Sequence, residues 1–161
     1  MRVIWMTVVA LGMATGMARA QLAPPHRTVD PGSPRSGELS SQAAEALVRS
    51  EPAEALKLAD AAIAVDARNP WAHYQRAAAL TDLDRTGEAV TAFKVAQRSF
   101  STADAWGKSI SIYGQANALA QARRCSEAKP VFEEYAVYVG RADAAAAGMA
   151  RRYAEECEPR R

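Results

Sequence analysis

Hydrophobic and polar positions divide the chain into three stretches. Residues 1–20 are apolar after a basic start, Met1-Arg2. Residues 21–38, QLAPPHRTVDPGSPRSGE, show no hydrophobic period and hold Pro24, Pro25, Pro31 and Pro34. From residue 39 on, apolar positions recur three and four apart, as in Leu80 and Leu83 or Val90 and Phe93. That is the spacing of one helix face, not the alternation of a strand. Turn-forming residues break this pattern into helices predicted near 39–50, 53–66, 71–84, 87–99, 104–123, 126–139 and 142–157. Asn69-Pro70 reads as a helix start, with Asn as cap and Pro at the first helical position. Ser101-x-x-Asp104 has the form of a capping box, and Thr86 and Ser126 are placed to cap the fourth and sixth helices.

The first stretch has the build of a secretory signal peptide. The run from Val3 to Met17 is apolar, and Ala18-Arg19-Ala20 supplies small residues for cleavage after Ala20. Its apolar length of about 15 residues falls short of the roughly 20 that a spanning helix needs. An uncleaved membrane anchor is the rival reading. The second stretch reads as a flexible tether over residues 21–38, because Pro and Gly oppose regular structure and few apolar groups offset the ordering entropy. His26 stands in it alone.

Composition sharpens the picture in two ways. Alanine fills 37 of the 161 positions while aromatics make up 7%. Such a chain builds its core by close helix approach rather than by large side chains, and a β-sandwich is excluded. The formal charge is +2, with 20 Lys+Arg and 18 Asp+Glu, but Arg2 and Arg19 account for the excess. The remainder is balanced, which removes the basic patch that nucleic acid or an anionic membrane would require.

The helical stretch is periodic. Ala43 and Ala77, Ala55 and Ala89, and Ala62 and Ala96 are each 34 residues apart. A further copy is offset by 39, pairing Ala77 with Ala116, Leu80 with Leu119, Glu88-Ala89 with Glu127-Ala128, and Phe93 with Phe132. This pattern resembles the tetratricopeptide repeat, a helix-turn-helix unit with small residues at its closest crossings. The family's first-helix Trp is missing, with Leu39, His73 and Ile112 at that position, and so is its repeat-ending Pro. The resemblance implies an all-α fold: a right-handed superhelix of three repeats, at about 36–69, 70–103 and 109–142. A capping helix at 142–157 completes one domain over residues 39–157, and residues 158–161 form a separate tail. Met149 and Tyr153, four apart, are expected to face the third repeat, leaving Arg152 and Glu156 to pair in solvent.

Within that arrangement the two cysteines can meet. Cys125 opens the sixth helix, which runs out for roughly 21 Å, and the seventh returns over roughly 24 Å to bring Cys157 level with it. A disulfide is the favoured reading for an exported protein. A redox pair or a metal site is the alternative, although C-x-x-C is absent and two thiols make a poor zinc site.

Catalytic constellations are not evident. No G-x-S-x-G, H-E-x-x-H or glycine-rich phosphate loop is present, and His73 falls at a packing position. Asp82 and Asp84, Glu133-Glu134 and Glu155-Glu156 read as solvated helix charge, and Arg123-Arg124 as cations at a helix end. No cofactor or metal is expected. What the family resemblance implies is a concave groove lined by first helices. Its positions are Trp71, Tyr74, Ala78, Thr81 and Asp82 in the second repeat, and Ile110, Tyr113, Asn117 and Gln121 in the third. Trp71 and Tyr74 are candidate anchors for a partner; the competing reading has them covering the junction with the first repeat. Asn117 matches one position of the family's carboxylate clamp, but Tyr113 stands where a Lys is needed, so a clamp is not expected.

The sequence therefore points to a non-catalytic protein-protein interaction module, exported to the periplasm or secreted, binding a peptide or protein in the groove. No nucleic acid and no stable membrane insertion after signal cleavage are expected. Two alternatives stand beside it. One is an assembly subunit that forms an oligomer by stacking through an uncapped first repeat, with Leu47 and Val48 partly bare. The other is a thiol-based redox protein using Cys125 and Cys157.

Overall fold

The structure is a computed structural model that describes residues 33–157 apart from Arg141. The signal segment, its cleavage point after Ala20, most of the proposed tether and the tail at 158–161 lie outside the described residues. The described chain is all-α, with seven helices: α1 Pro34–Val48, α2 Pro52–Val65, α3 Pro70–Asp82, α4 Thr86–Ser99, α5 Ala105–Gln121, α6 Cys125–Val139 and α7 Ala144–Glu156. Each helix packs on its neighbours in sequence, and α3 also packs on α1 and α5.

Proline starts α1, α2 and α3, where its fixed φ suits a first turn and its missing N–H is not needed. This moves one boundary. Residues 34–38 are not tether but the first turn of α1, which begins five residues before the expected position 39. The turn is held by Ser36, fully buried, whose hydroxyl donates to Ala62 O at 2.8 Å and accepts from Asn69 Nδ2 at 2.9 Å. A short polar side chain was thus recruited as an anchor between α1, the end of α2 and the start of α3.

The period seen in the sequence returns in the backbone. Ser50, Asp84 and Arg123 carry φ of 61°, 58° and 60°, at spacings of 34 and 39 residues. Each closes a helix in the same way. The residue after it donates to the carbonyl five back (Glu51 to Ala46, Arg85 to Leu80, Arg124 to Leu119), and it donates itself to the carbonyl three back. This is the Schellman closure, made here without glycine.

Helix starts differ from expectation at three places. Thr86 and Ser126 lie inside α4 and α6 and do not cap them. Arg85 and Arg124 hold the cap positions, each gripping a first-turn carboxylate with two bonds, Glu88 at 2.8 Å and Glu127 at 2.7 Å. These bonds hold both carboxyls below the ordinary Glu range. Ahead of α5, Asp104 is itself the cap, accepting from Gly107 N at 2.8 Å, and Ser101 stays outside. Asn69 caps α3 as expected, accepting from Trp71 N and Ala72 N.

Alanine dominates the interior, with Leu80, Ile112, Leu119 and Phe132 as the largest fully buried side chains outside the serines. Glycine sharpens one contact. Gly107 and Gly114, seven apart on α5, sit against the rings of Phe100 and Phe93, which occupy the space a Cβ would take. The cap helix α7 buries Ala147, Ala150 and Ala154. Tyr153 faces the third repeat as expected, its ring 6.0 Å from that of Phe132, but it and Met149 stay 42% and 43% exposed. Only the small residues allow α7 to approach α6, so the larger ones sit at the margin. Its ion pair runs from Arg151 to Glu133 of α6 at 3.8 Å, and among the described residues Arg152 and Glu156 form none. Cys125 and Cys157 are joined in a disulfide with Cα atoms 5.5 Å apart, and no cysteine is free among the described residues. No described helix is long and apolar enough to cross a membrane.

Candidate functional site

The candidate groove residues with polar or aromatic side chains are not brought together in one place. Trp71 lies in the first turn of α3 and Tyr74 one turn on. Both belong to a cluster of rings. Trp71 meets Phe100 edge-on at 5.0 Å, Trp106 of α5 at 5.5 Å and Tyr74 at 5.9 Å, while Tyr74 meets Phe93 at 5.8 Å. The pair therefore meets rings of α4, the following turn and α5, and Tyr74 packs on the same core cluster as Leu56 of α2. Burial pushes the Tyr74 phenol above its ordinary pKa. Thr81 donates to Ala77 O of its own helix at 2.9 Å, and Asp82 and Gln121 are exposed without side-chain partners among the described residues.

Tyr113 and Asn117 are brought together in a different place. They line an open cleft of about 330 Å³ between α5, α6 and α7. Ala120 and Arg123 continue its wall along α5 and the following turn, Phe132 faces them from α6, and Tyr153, Glu156 and Cys157 close it from α7. The aromatic walls are in mutual contact, Tyr113 to Phe132 at 6.1 Å and Phe132 to Tyr153 at 6.0 Å, with Tyr135 behind Tyr113 at 5.3 Å. Burial, and then the neighbouring Tyr153 and Tyr135 phenols, raise the pKa of Tyr113. Neutral hydroxyls, an amide, a guanidinium and a carboxylate thus meet in a space open to solvent. Arg123 and Glu156 both line it and form no ion pair with each other among the described residues.

Sequence reading missed five of the eight lining residues that carry side-chain chemistry or shape beyond Tyr113, Asn117 and Cys157. Arg123 was read as helix-end charge, Phe132 as core, Tyr153 as cap packing, Glu156 as solvated charge, and Ala120 was passed over. A signal was present. From the third copy the 34-residue spacing continues once more, Ala116 to Ala150, Leu119 to Tyr153 and Ala120 to Ala154. These positions of α7 share one core cluster with Ala116 and Leu119 of α5 and Phe132 of α6.

Among the described residues no group of three His, Cys, Asp or Glu side chains is placed to hold a metal. His73 is half-buried and its Nε2 lies 2.9 Å from Ala67 O, a packing contact. At the opposite end of the chain, the outward side of α1 is polar. Arg35, Glu38 and Glu45 are exposed there, Arg35 pairing with Glu38 at 2.8 Å. Leu47 is partly bare, half-buried against Ala46 and Ala55, and Val48 is 81% exposed. Comparison with protein-family models, curated proteins and solved structures finds no match to this chain.

Proposed function

We propose that the protein is a non-catalytic interaction module, built as three tetratricopeptide-like hairpins in a right-handed superhelix with α7 as cap. On this reading it is exported by a cleaved segment ending at Ala20, and it holds a peptide stretch of a protein partner along the face shared by α3, α5 and α7. The observation that carries the reading is the cleft at the last junction. Its half-buried Tyr113 and partly exposed Tyr153 rings, backed by buried Phe132, offer contact area with few rotors. Asn117, Arg123 and Glu156 stand ready at its edge to pair with a peptide's polar groups. The balanced charge outside residues 1–20 fits a partner recognised by shape and local hydrogen bonds. Stacking of copies through the first repeat draws little support from α1, whose outward side is charged.

The test is partner recovery from cell-envelope extract by the wild type and by Asn117→Ala/Arg123→Ala. Both changes lie on the cleft rim and leave the buried core intact. Loss of a partner recovered by the wild type is expected. Equal recovery by both proteins would remove the cleft from the binding reaction.

A further inference from the structure

Trp71 and Trp106 form a second surface, separate from the cleft. Their rings are 5.5 Å apart and tilted by 36°, Trp106 is 42% exposed and Trp71 half-buried. Neither indole N–H donates to an acceptor among the described residues, and the N–H of half-buried Trp71 is not sealed from solvent. Two adjacent indoles with open donors match the needs of an extended, proline-containing strand. Its rings pack on indole faces, and its carbonyls, unused in internal bonds, accept from indole N–H groups.

A proline-containing segment precedes α1 in the same chain. Residues 21–32, QLAPPHRTVDPG, directly precede Ser33. The start of α1 sits at the indole end of the molecule, because Ser36 is bonded to Asn69, the cap two residues before Trp71, at 2.9 Å. We propose that residues 21–32 dock across Trp71 and Trp106 in an extended, polyproline-II-like course. Reach agrees with this. At about 3.1 Å per residue, Pro25 lies roughly 25 Å along the strand from Ser33. The axes of α1, α3 and α5, spaced about 8–10 Å each, put Trp106 roughly 16–20 Å away. The segment therefore spans both indoles, with Pro31 near Trp71 and the Pro24-Pro25 pair just beyond Trp106. Asn117 is eleven positions further along α5 than Trp106, about 16 Å, so the docked strand leaves the cleft open.

The experiment uses the full chain with Trp5→Phe, so that Trp71 and Trp106 are the two remaining indoles. Replacing Pro24, Pro25 and Pro31 by Ser changes only residues outside the helical core. The expected result is a red shift of indole emission and easier quenching by acrylamide in the Ser variant. Unchanged emission and quenching would overturn the proposal. As a second readout, benzoylphenylalanine in place of His26 is expected to crosslink, on illumination of dilute monomer, to the peptide containing Trp71 or Trp106. Adducts elsewhere on the chain, or adducts found only as covalent dimers, would also overturn it. The first would mean that the strand lies on another face, and the second that a neighbouring copy supplies it.

Discussion

Gly114 has no side chain, and that absence sets how closely α4 and α5 approach. A Cβ there would fall 2.5 Å from Cε1 of Phe93, a ring already held by Tyr74 at 5.8 Å. Gly114→Ala is therefore expected to destabilise by about 1–3 kcal/mol through overpacking. The opposite sign, the few tenths to 1 kcal/mol gained by an Ala in a helix, would be expected only if the ring could move aside. The denaturant midpoint decides between them. The sequence showed Gly114 as no more than a weak helix former, because the ring that fills its place comes from another helix. The alanines were legible for the converse reason: their spacing repeats within the chain. The tyrosines give a pH dependence. Folding raises the pKa of Tyr74 and Tyr113 above the ordinary 10.0. An acid with a raised folded pKa contributes stability that is fully present below its unfolded value and lost as pH rises through the folded one. Stability should fall as pH climbs past about 10, and Tyr74→Phe should flatten that fall in chemical denaturation at a series of alkaline pH values.

The helices were legible to within a few residues, because apolar spacing reports a buried face. Their ends were less so. Thr86 and Ser126 are good capping residues in isolation, yet the Schellman closures at Asp84 and Arg123 place Arg85 and Arg124 at the cap positions instead. Local propensity yields where the preceding helix dictates the turn. The start of α1 was missed because Pro34 and Gly37 suggest a tether, and only the tertiary bonds of Ser36 show otherwise. The cap helix has a specific weakness. Its buried side chains are three alanines, each adding only about the 0.8 kcal/mol of one methyl or methylene group. The disulfide across a separation of 32 residues should contribute about 3–4 kcal/mol in the chain-entropy account, comparable with all three together. Reduction is expected to lower global stability by that amount and to release α7 first. Hydrogen exchange after reduction should show amides of α7 losing protection while those of α3 and α4 keep theirs. Uniform loss across all seven helices would contradict a separable cap.

At the scale of the molecule, the three closures at Ser50, Asp84 and Arg123 and the contacts of α3 with both α1 and α5 give the chain one continuous side formed by α1, α3 and α5. The Ala period foreshadowed that order. It did not foreshadow where the side would be concave enough to hold a ligand, since the cleft needs α7, whose own period was visible only as a partial further copy. Trp71 and Tyr74 looked like free anchors because their spacing puts them on a first helix; the rings that occupy them, Phe93, Phe100 and Trp106, come from α4, the following turn and α5. The central claim is that a partner peptide is held in the cleft between α5, α6 and α7. Its most direct test is site-specific photocrosslinking in the native cell, with the crosslinker placed at Asn117 in the cleft or at Val137 on α6, which is 74% exposed and outside the cleft lining. The expected result is one discrete protein adduct from position 117 that is absent from position 137. An adduct from position 137 with none from position 117 would contradict the claim.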